Sequence, residues 1–232
     1  MAEINCDGLT TREINAGIRS AIAAGEREIL VRNTGARHNL GVAVLDPVRI
    51  NFAGSVGYFC GGLIDGPRIE IEESAGWGLA ESMMSGEVIV HGSAGNGAAA
   101  AIRGGTVVIH GDAAARLGVS MKGGTVLVAG NCGYMAGFMG QKGKLVVCGD
   151  AGDAFADSLY ETVCFVGGQI AGLGTDAVVD NPSVEEAEWL DATLAQYLPA
   201  PQPRGKDFKR VVAGRKLWNF DKREWKVWQE AL

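Results

Sequence analysis

Apolar residues recur along this chain every 19 positions, and the glycine and polar positions between them keep the same spacing. Two such series carry an apolar side chain at every step. The first is Ile50, Ile69, Val88, Val107, Val126 and Leu145, and the second is Phe52, Ile71, Val90, Ile109, Val128, Val147 and Val166. A fixed period of about this length indicates stacked structural repeats that share one continuous core.

Small residues repeat in the same register and punctuate each repeat. One series is glycine throughout: Gly92, Gly111, Gly130, Gly149 and Gly168. A second is small at every step: Ala75, Ala94, Ala113, Cys132 and Ala151. A third is glycine with one alanine: Gly57, Gly76, Gly95, Ala114, Gly133 and Gly152. Because glycine adopts positive φ at little cost, we expect the first series to form sharp corners after each strand.

The pattern predicts a mainly β protein, a right-handed parallel β-helix of about six 19-residue turns over residues 48–180. Each repeat opens with a β-rich run, such as residues 106–110 or 125–129, and two later apolar positions predict two or three short strands per turn. At about 4.8 Å per turn the rod would be roughly 29 Å long. A left-handed hexapeptide helix would favour a period of about 18 instead.

The two ends differ from the repeats. Residues 1–47 predict a cap made of a helix from Thr10 to Ala24, opened by a capping box with Glu13, and a strand over 28–32. Residues 181–232 predict a helix with Pro182 at its first position, then a proline linker and a tail rich in tryptophan and basic residues.

A third apolar series points outward from the predicted strands: Ile89, Val108, Leu127, Val146 and Phe165. Strands that are apolar on both faces are normally covered on both faces. We expect the flanking helices to cover part of this strip and a partner protein to cover the rest.

Charge divides the chain at the proline linker. The whole chain carries a net charge of −6, but residues 204–232 carry +5 and the remainder −11. Aromatic and basic residues on such a segment are typical of an anchor in a partner surface. The candidate partner-binding residues are Arg215, Lys216, Trp218, Phe220, Trp225 and Trp228. The alternative is an arm that folds back on its own acidic rod, and the acidic balance disfavours nucleic acid.

The residues predict no catalytic, cofactor-binding or metal-binding site. His91 and His110 share one position of the repeat and should stack, with Glu72 the carboxylate on that side, yet a pair engaged at the surface is favoured over a metal site. The five cysteines lack a C-x-x-C pair and fit buried thiols in a reducing compartment. With no signal-peptide pattern and no membrane-spanning run, we expect a cytoplasmic protein without a membrane partner.

Several segments resemble a known family. Residues 85–97, 103–112 and 121–124 are similar to the glycine-patterned (GXGXG) β-helix domain of glutamate synthase, which also forms a subunit of formylmethanofuran dehydrogenase. Residues 56–62, 145–152 and 157–161 with 173–176 resemble a narrower group, the separate β-helix subunit of glutamate synthase-like complexes such as N-methylglutamate synthase. The resemblance covers about residues 5 to 220.

The resemblance implies a scaffold subunit without an active site of its own. A class II glutamine amidotransferase subunit and an FMN-dependent, iron–sulfur synthase subunit would be its partners, held in register beside an ammonia or amine channel. FMN and the iron–sulfur cluster would then lie on a partner. The alternative is the β-helix subunit of a formylmethanofuran dehydrogenase or formyltransferase/hydrolase-type one-carbon complex, and an independent enzyme or binding module is a further one.

Overall fold

The computed structural model describes residues 1–199 and 203–215. Two helices lie among these residues, α1 (Thr11–Ala23) and α2 (Val184–Tyr197), together with a short 3₁₀ helix (Gly205–Asp207). The strands are β1 (Ala2–Asn5), β2 (Glu28–Arg32), β3 (Arg49–Ala53), β4 (Asp65–Ile71), β5 (Ser85–Val90), β6 (Thr106–Ile109), β7 (Lys122–Val128), β8 (Lys142–Val147), β9 (Glu161–Val166), β10 (Ala177–Asp180) and β11 (Lys209–Ala213).

The strands form one sheet in the order β1-β2-β3-β4-β5-β6-β7-β8-β9-β11-β10, and β1 through β9 are parallel. Val107 pairs with both Val88 and Val126, so equivalent residues of successive turns stack directly. The predicted parallel β-solenoid is confirmed. It has about seven turns, because β2 already pairs with β3 in register (Ile29 with Ile50) and the segment before residue 48 forms the first turn.

Each turn contains one extended strand, and the expected second strand is reduced to a single bridging residue. These bridges join Val56, Ala75, Ala94, Ala113, Cys132, Ala151 and Ile170 in one column. On the third side the chain turns through left-handed residues, for example Ala99 (φ 56°) and Ala101 (φ 53°). The Ala99 N–H donates to Leu79 O (2.7 Å) and the Ala101 N–H to Val119 O (2.8 Å), so neighbouring turns on both sides fix this conformation.

The corner glycines have a different cause from the one expected. None of the series from Gly92 to Gly168 has a φ in the left-handed range. A Cβ built on Gly149 would lie 2.7 Å from Gly130 O of the preceding turn, so close backbone approach excludes larger residues. Among the glycines, positive φ values occur instead on the left-handed side, as at Gly97 (φ 69°), and where the next strand begins, as at Gly105 (φ 78°).

A column of short polar side chains runs beside these glycines and bonds the turns together. The Asn131 N–H donates to Asp112 Oδ1 (2.7 Å), the Asp150 N–H to Asn131 Oδ1 (2.8 Å) and the Gln169 N–H to Asp150 Oδ1 (2.7 Å). Each side chain therefore satisfies a backbone N–H in the following turn, where the strand ladder has ended.

Helix α1 closes the N-terminal end of the solenoid. Thr10 and Glu13 form the predicted capping box. Ile14 and Ile18 are buried in the same core cluster as the inward-facing strand residues. The Asn15 side chain donates to Asn39 O (2.7 Å) and accepts from the Gly41 N–H (2.9 Å), so the helix is tied to the first turn.

Helix α2 lies across the outward-facing strip of the strands. It begins at Val184 with Ser183 as its N-cap and Glu186 completing the capping box, so Pro182 precedes the helix rather than occupying its first position. The strip residues Ile89, Val108, Leu127, Val146 and Phe165 are 0–7% exposed and cluster with Leu190, Leu194, Leu198 and Phe208. The chain itself covers the strip that we expected a partner to share.

The C-terminal end is closed by strand β11, which lies antiparallel between β9 and β10. Phe208 packs under α2 and Val211 is fully buried in the solenoid core. The Arg210 guanidinium pairs with Glu186 (2.9 Å) and Asp180 (3.7 Å). Within the predicted tail, residues 205–213 belong to the sheet and its covering cluster.

Candidate functional site: a histidine pair and an uncharged face

His91 and His110 stack on adjacent turns, as their shared position predicts. Their Nδ1 atoms are 3.2 Å apart and the ring planes are nearly perpendicular. His91 Nε2 lies 2.7 Å from Glu70 Oε1, and His110 Nε2 lies 3.1 Å from Tyr197 O at the end of α2. The carboxylate is Glu70 and not Glu72, because Glu72 accepts from Asn51 Nδ2 (3.1 Å).

The hydrogen bonds assign the protons along this chain of groups. Tyr197 O can only accept, so His110 Nε2 donates to it, and Glu70 Oε1 accepts in the same way from His91 Nε2. Burial, and then the charge of His91, lower the pKa of His110, which favours its neutral form. The pair therefore joins the C-terminal end of α2 to the sheet.

In the part of the chain that the structure describes, no group of three or more His, Cys, Asp or Glu side chains is arranged so that it could hold a metal ion. All five cysteines are buried free thiols. Burial raises the pKa of Cys132 and of Cys148 to about 12, so both are protonated and weakly nucleophilic near neutral pH. The G-x-G segments at 76–78 and 95–97 lie in turns and not at a strand-to-helix junction, so they do not form a phosphate-binding loop.

The left-handed side of the solenoid is a flat face almost without charge. We define this uncharged face as five stacked segments, residues 57–63, 76–82, 95–101, 114–120 and 133–139. Only Glu81 and Arg116 are charged in them, although charged residues make up 21% of the chain. This face was not among the features predicted from the sequence, although the low charge of five equivalent segments could have indicated it.

Aromatic side chains stand exposed on the uncharged face. His38, Tyr58 and Trp77 stack in one column, with ring centroids 4.4 Å and 5.2 Å apart and planes within 18° of parallel. Tyr58, Trp77 and Tyr134 are 46%, 54% and 50% exposed. Large apolar surfaces left open to solvent mark interaction sites in soluble proteins.

Most of the partner-binding residues predicted in the tail lie outside the described residues: Lys216, Trp218, Phe220, Trp225 and Trp228. Arg215 is described. It is exposed just after β11, in a left-handed conformation (φ 60°). Their role in binding a partner stays a prediction.

These features define a parallel β-solenoid with a stacked histidine pair beside α2 and an uncharged face with exposed aromatic side chains. No family model matches the sequence. A relative, Protein GlxC of Rhizobium meliloti (strain 1021), is 50% identical to it over 212 residues, which cover 90% of this chain and 92% of GlxC. The chain belongs to the family of GlxC, consistent with the glutamate synthase-like family that its motifs resemble. None of the described helices is both long and apolar enough to cross a bilayer.

Proposed function

We propose that this chain is the non-catalytic scaffold subunit of a heteromeric glutamate synthase-like complex of the N-methylglutamate synthase type. It would hold a class II glutamine amidotransferase subunit and an FMN-dependent, iron–sulfur synthase subunit in register beside an ammonia or amine channel. The observation that carries the proposal is that every segment of the family resemblance falls within one continuous stack of turns. A rigid stack of this kind is suited to fixing the distance between two partners.

The cysteine and histidine side chains of the described residues, which could take part in catalysis, support a structural role. The thiols are buried and protonated, and both imidazoles of the stacked pair are engaged with protein groups. Nucleophilic or acid–base catalysis needs such groups to be accessible and activated. The amidotransferase nucleophile, the flavin and the cluster would therefore belong to the partner subunits.

Affinity purification of the tagged full chain from its native host tests the proposal. We expect an amidotransferase and a flavoprotein to co-purify, and glutamine- and 2-oxoglutarate-dependent turnover, with methylamine as a second nitrogen donor, only in the assembled complex. Turnover by the isolated chain would contradict the scaffold role. Recovery of formyltransferase or hydrolase subunits instead would favour the one-carbon complex.

A further inference from the structure

The two ends of the solenoid differ in how well the described residues cover the core. At the N-terminal end, α1 packs on the first turn, and its residues Ile14 and Ile18 are buried in the core cluster. At the C-terminal end, β11 continues the sheet and β10 lies beyond it as the last described strand. The outer edge of β10 pairs with no other described strand. Sheet edges are normally covered, since an open edge can pair with other chains.

The side of β10 that faces the core is exposed. Val179 pairs with Val211, and directly opposed residues of antiparallel strands point to the same side of a sheet. Val211 is fully buried in the solenoid core, so Val179 also points to the core side, yet it is 49% exposed.

The final turn of the solenoid exposes a second core position. Leu173 bridges to Phe155, which is fully buried in the core, and so continues the same inward-facing column. Leu173 is nevertheless 42% exposed. Repeat proteins need a capping segment at each end of the stack, because the last repeat otherwise leaves core positions in solvent. Val179 and Leu173 are the positions that such a cap would cover.

The chain leaves the described structure beside this exposed surface. Ala213 pairs with Ala177, and the Gly214 N–H donates to Asp176 O (2.6 Å). Arg215 follows in a left-handed conformation (φ 60°), which turns the chain. Val179 is two residues further along β10 than Ala177, a distance of about 7 Å. A segment that starts after Arg215 therefore needs only a few residues to reach the surface.

The sequence that follows has the apolar pattern of a cap. Residues 216–232, which lie outside the described part, contain apolar residues at spacings of three, four and seven, the pattern of an amphipathic helix. In a helical projection one half holds Leu217, Trp218, Phe220, Trp225, Val227, Trp228, Ala231 and Leu232, interrupted by Asp221 and Glu224. The other half is polar and includes Lys222, Arg223 and Lys226. A helix this short is marginal in water unless its apolar side packs on another surface.

We infer that residues 216–232 dock on the core-facing side of β10 and cap the solenoid there, as α1 does at the other end. The tether favours this occupant, because a segment joined by a few residues meets the surface at a millimolar effective concentration. A second copy or a partner subunit would have to bind without that advantage. The inference goes beyond the proposed function and does not depend on it, since it requires no partner subunit.

Hydrogen exchange of the isolated full-length chain tests the cap from the side of β10. We expect the amides of residues 216–232 to exchange at least about 10-fold more slowly than in an unstructured peptide. Val179→Lys should abolish this protection, because it places a charge on the surface that the apolar segment would cover. Val178→Lys is the matched control. Val178 is 41% exposed on the same strand, but it pairs with Val212 and points to the opposite side of the sheet, so the control should keep the protection.

Substitutions within the segment provide the reciprocal test. Replacing both Trp225 and Trp228 by alanine should release the segment and speed exchange at residues 173–179. Lys226→Ala, on the polar side of the helical projection, should have neither effect. Circular dichroism confirms that each variant is folded, and analytical ultracentrifugation reports whether the chain is a monomer.

Four outcomes would overturn the cap. The first is unprotected exchange at residues 216–232 in the isolated monomer, and the second is protection that survives both Val179→Lys and the double tryptophan variant. The third is protection found only in a dimer that Val179→Lys dissociates, which would assign the surface to a second copy. The fourth is protection that appears only when the amidotransferase–flavoprotein subcomplex is added, which would support the predicted partner anchor instead.

Discussion

Two faces of the same rod are apolar, and only one of them is covered by residues that the structure describes. The outward strand face carries aliphatic side chains at a fixed position of five turns, and α2 buries all of them. The uncharged face carries aromatic and small side chains across five equivalent turns and stays open. Both follow the same period. An apolar series in a solenoid therefore indicates a covered surface, but it does not indicate whether the cover is the protein's own helix or another chain.

The largest expected loss of stability comes from a substitution in the core, which lies between the two faces. Val126→Asp puts an unpaired carboxylate at a fully buried position stacked between Val107 and Leu145, so we expect a loss of about 4 kcal/mol or more in the free energy of unfolding. Ala115→Asp, on the open face, should change it by less than about 1 kcal/mol. Urea unfolding followed by circular dichroism measures both. Equal losses would mean that the open face is part of the fold's stability.

Removing a buried side chain of α2 tests whether this helix stabilises the outward strand face. Leu194→Ala removes a side chain that is 1% exposed between α2 and the strip, and we expect a loss of about 2–5 kcal/mol and increased binding of a hydrophobic dye. Val184→Ala, at an exposed position of the same helix, should be close to neutral. Trp77→Ala on the open face should cost less than about 1 kcal/mol. If Leu194→Ala lowered the free energy of unfolding no more than Val184→Ala does, the packing of α2 on the strip would not contribute to stability.

Two glycine substitutions test whether the corner glycines are required by close backbone approach or by a positive φ. Gly149→Ala forces a Cβ against the preceding turn and should cost about 1–3 kcal/mol. Gly97, on the uncharged face, has open space around its missing Cβ but a φ of 69°, so Gly97→Ala should cost only about 1 kcal/mol. Thermal unfolding ranks the two variants. If Gly97→Ala lowered the melting temperature more than Gly149→Ala, close backbone approach would not explain the corner glycines.

The smallest expected effect is the pH dependence of the link between α2 and the sheet. Because the folded state lowers the pKa of His110 below its ordinary value of 6.5, the unfolded chain binds more protons just below that pH. The contribution of neutral His110 is therefore complete above about pH 6.5 and declines as the pH falls through the folded pKa. Melting temperatures between pH 7.5 and 5 should show this decline in the wild type and less of it in His110→Gln.

Measurements from pH 7.5 to 8.5, above the range in which His110 titrates, provide the baseline for this comparison. An identical pH slope in the wild type and in His110→Gln would show that the pair does not couple α2 to protonation.

Much of the candidate site follows from the repeat, and some of it does not. One shared position predicted that His91 and His110 stack, and the low charge of five equivalent segments could have revealed the uncharged face. The carboxylate that contacts His91 could not be predicted in the same way. His91 reaches diagonally to Glu70, a neighbour two residues along the same face, because Asn51 already engages Glu72.

The sequence by itself determined the stack: its period, its inward-facing series, the capping box of α1 and the strand at 28–32. These are encoded by regular spacing, because each turn repeats the contacts of the one before. The tertiary structure alone decided that α2 covers the strand face and that β11 enters the sheet antiparallel between β9 and β10. Those contacts join segments far apart in the chain, such as His110 and Tyr197, 87 residues apart. No period relates such segments, so only packing could place them.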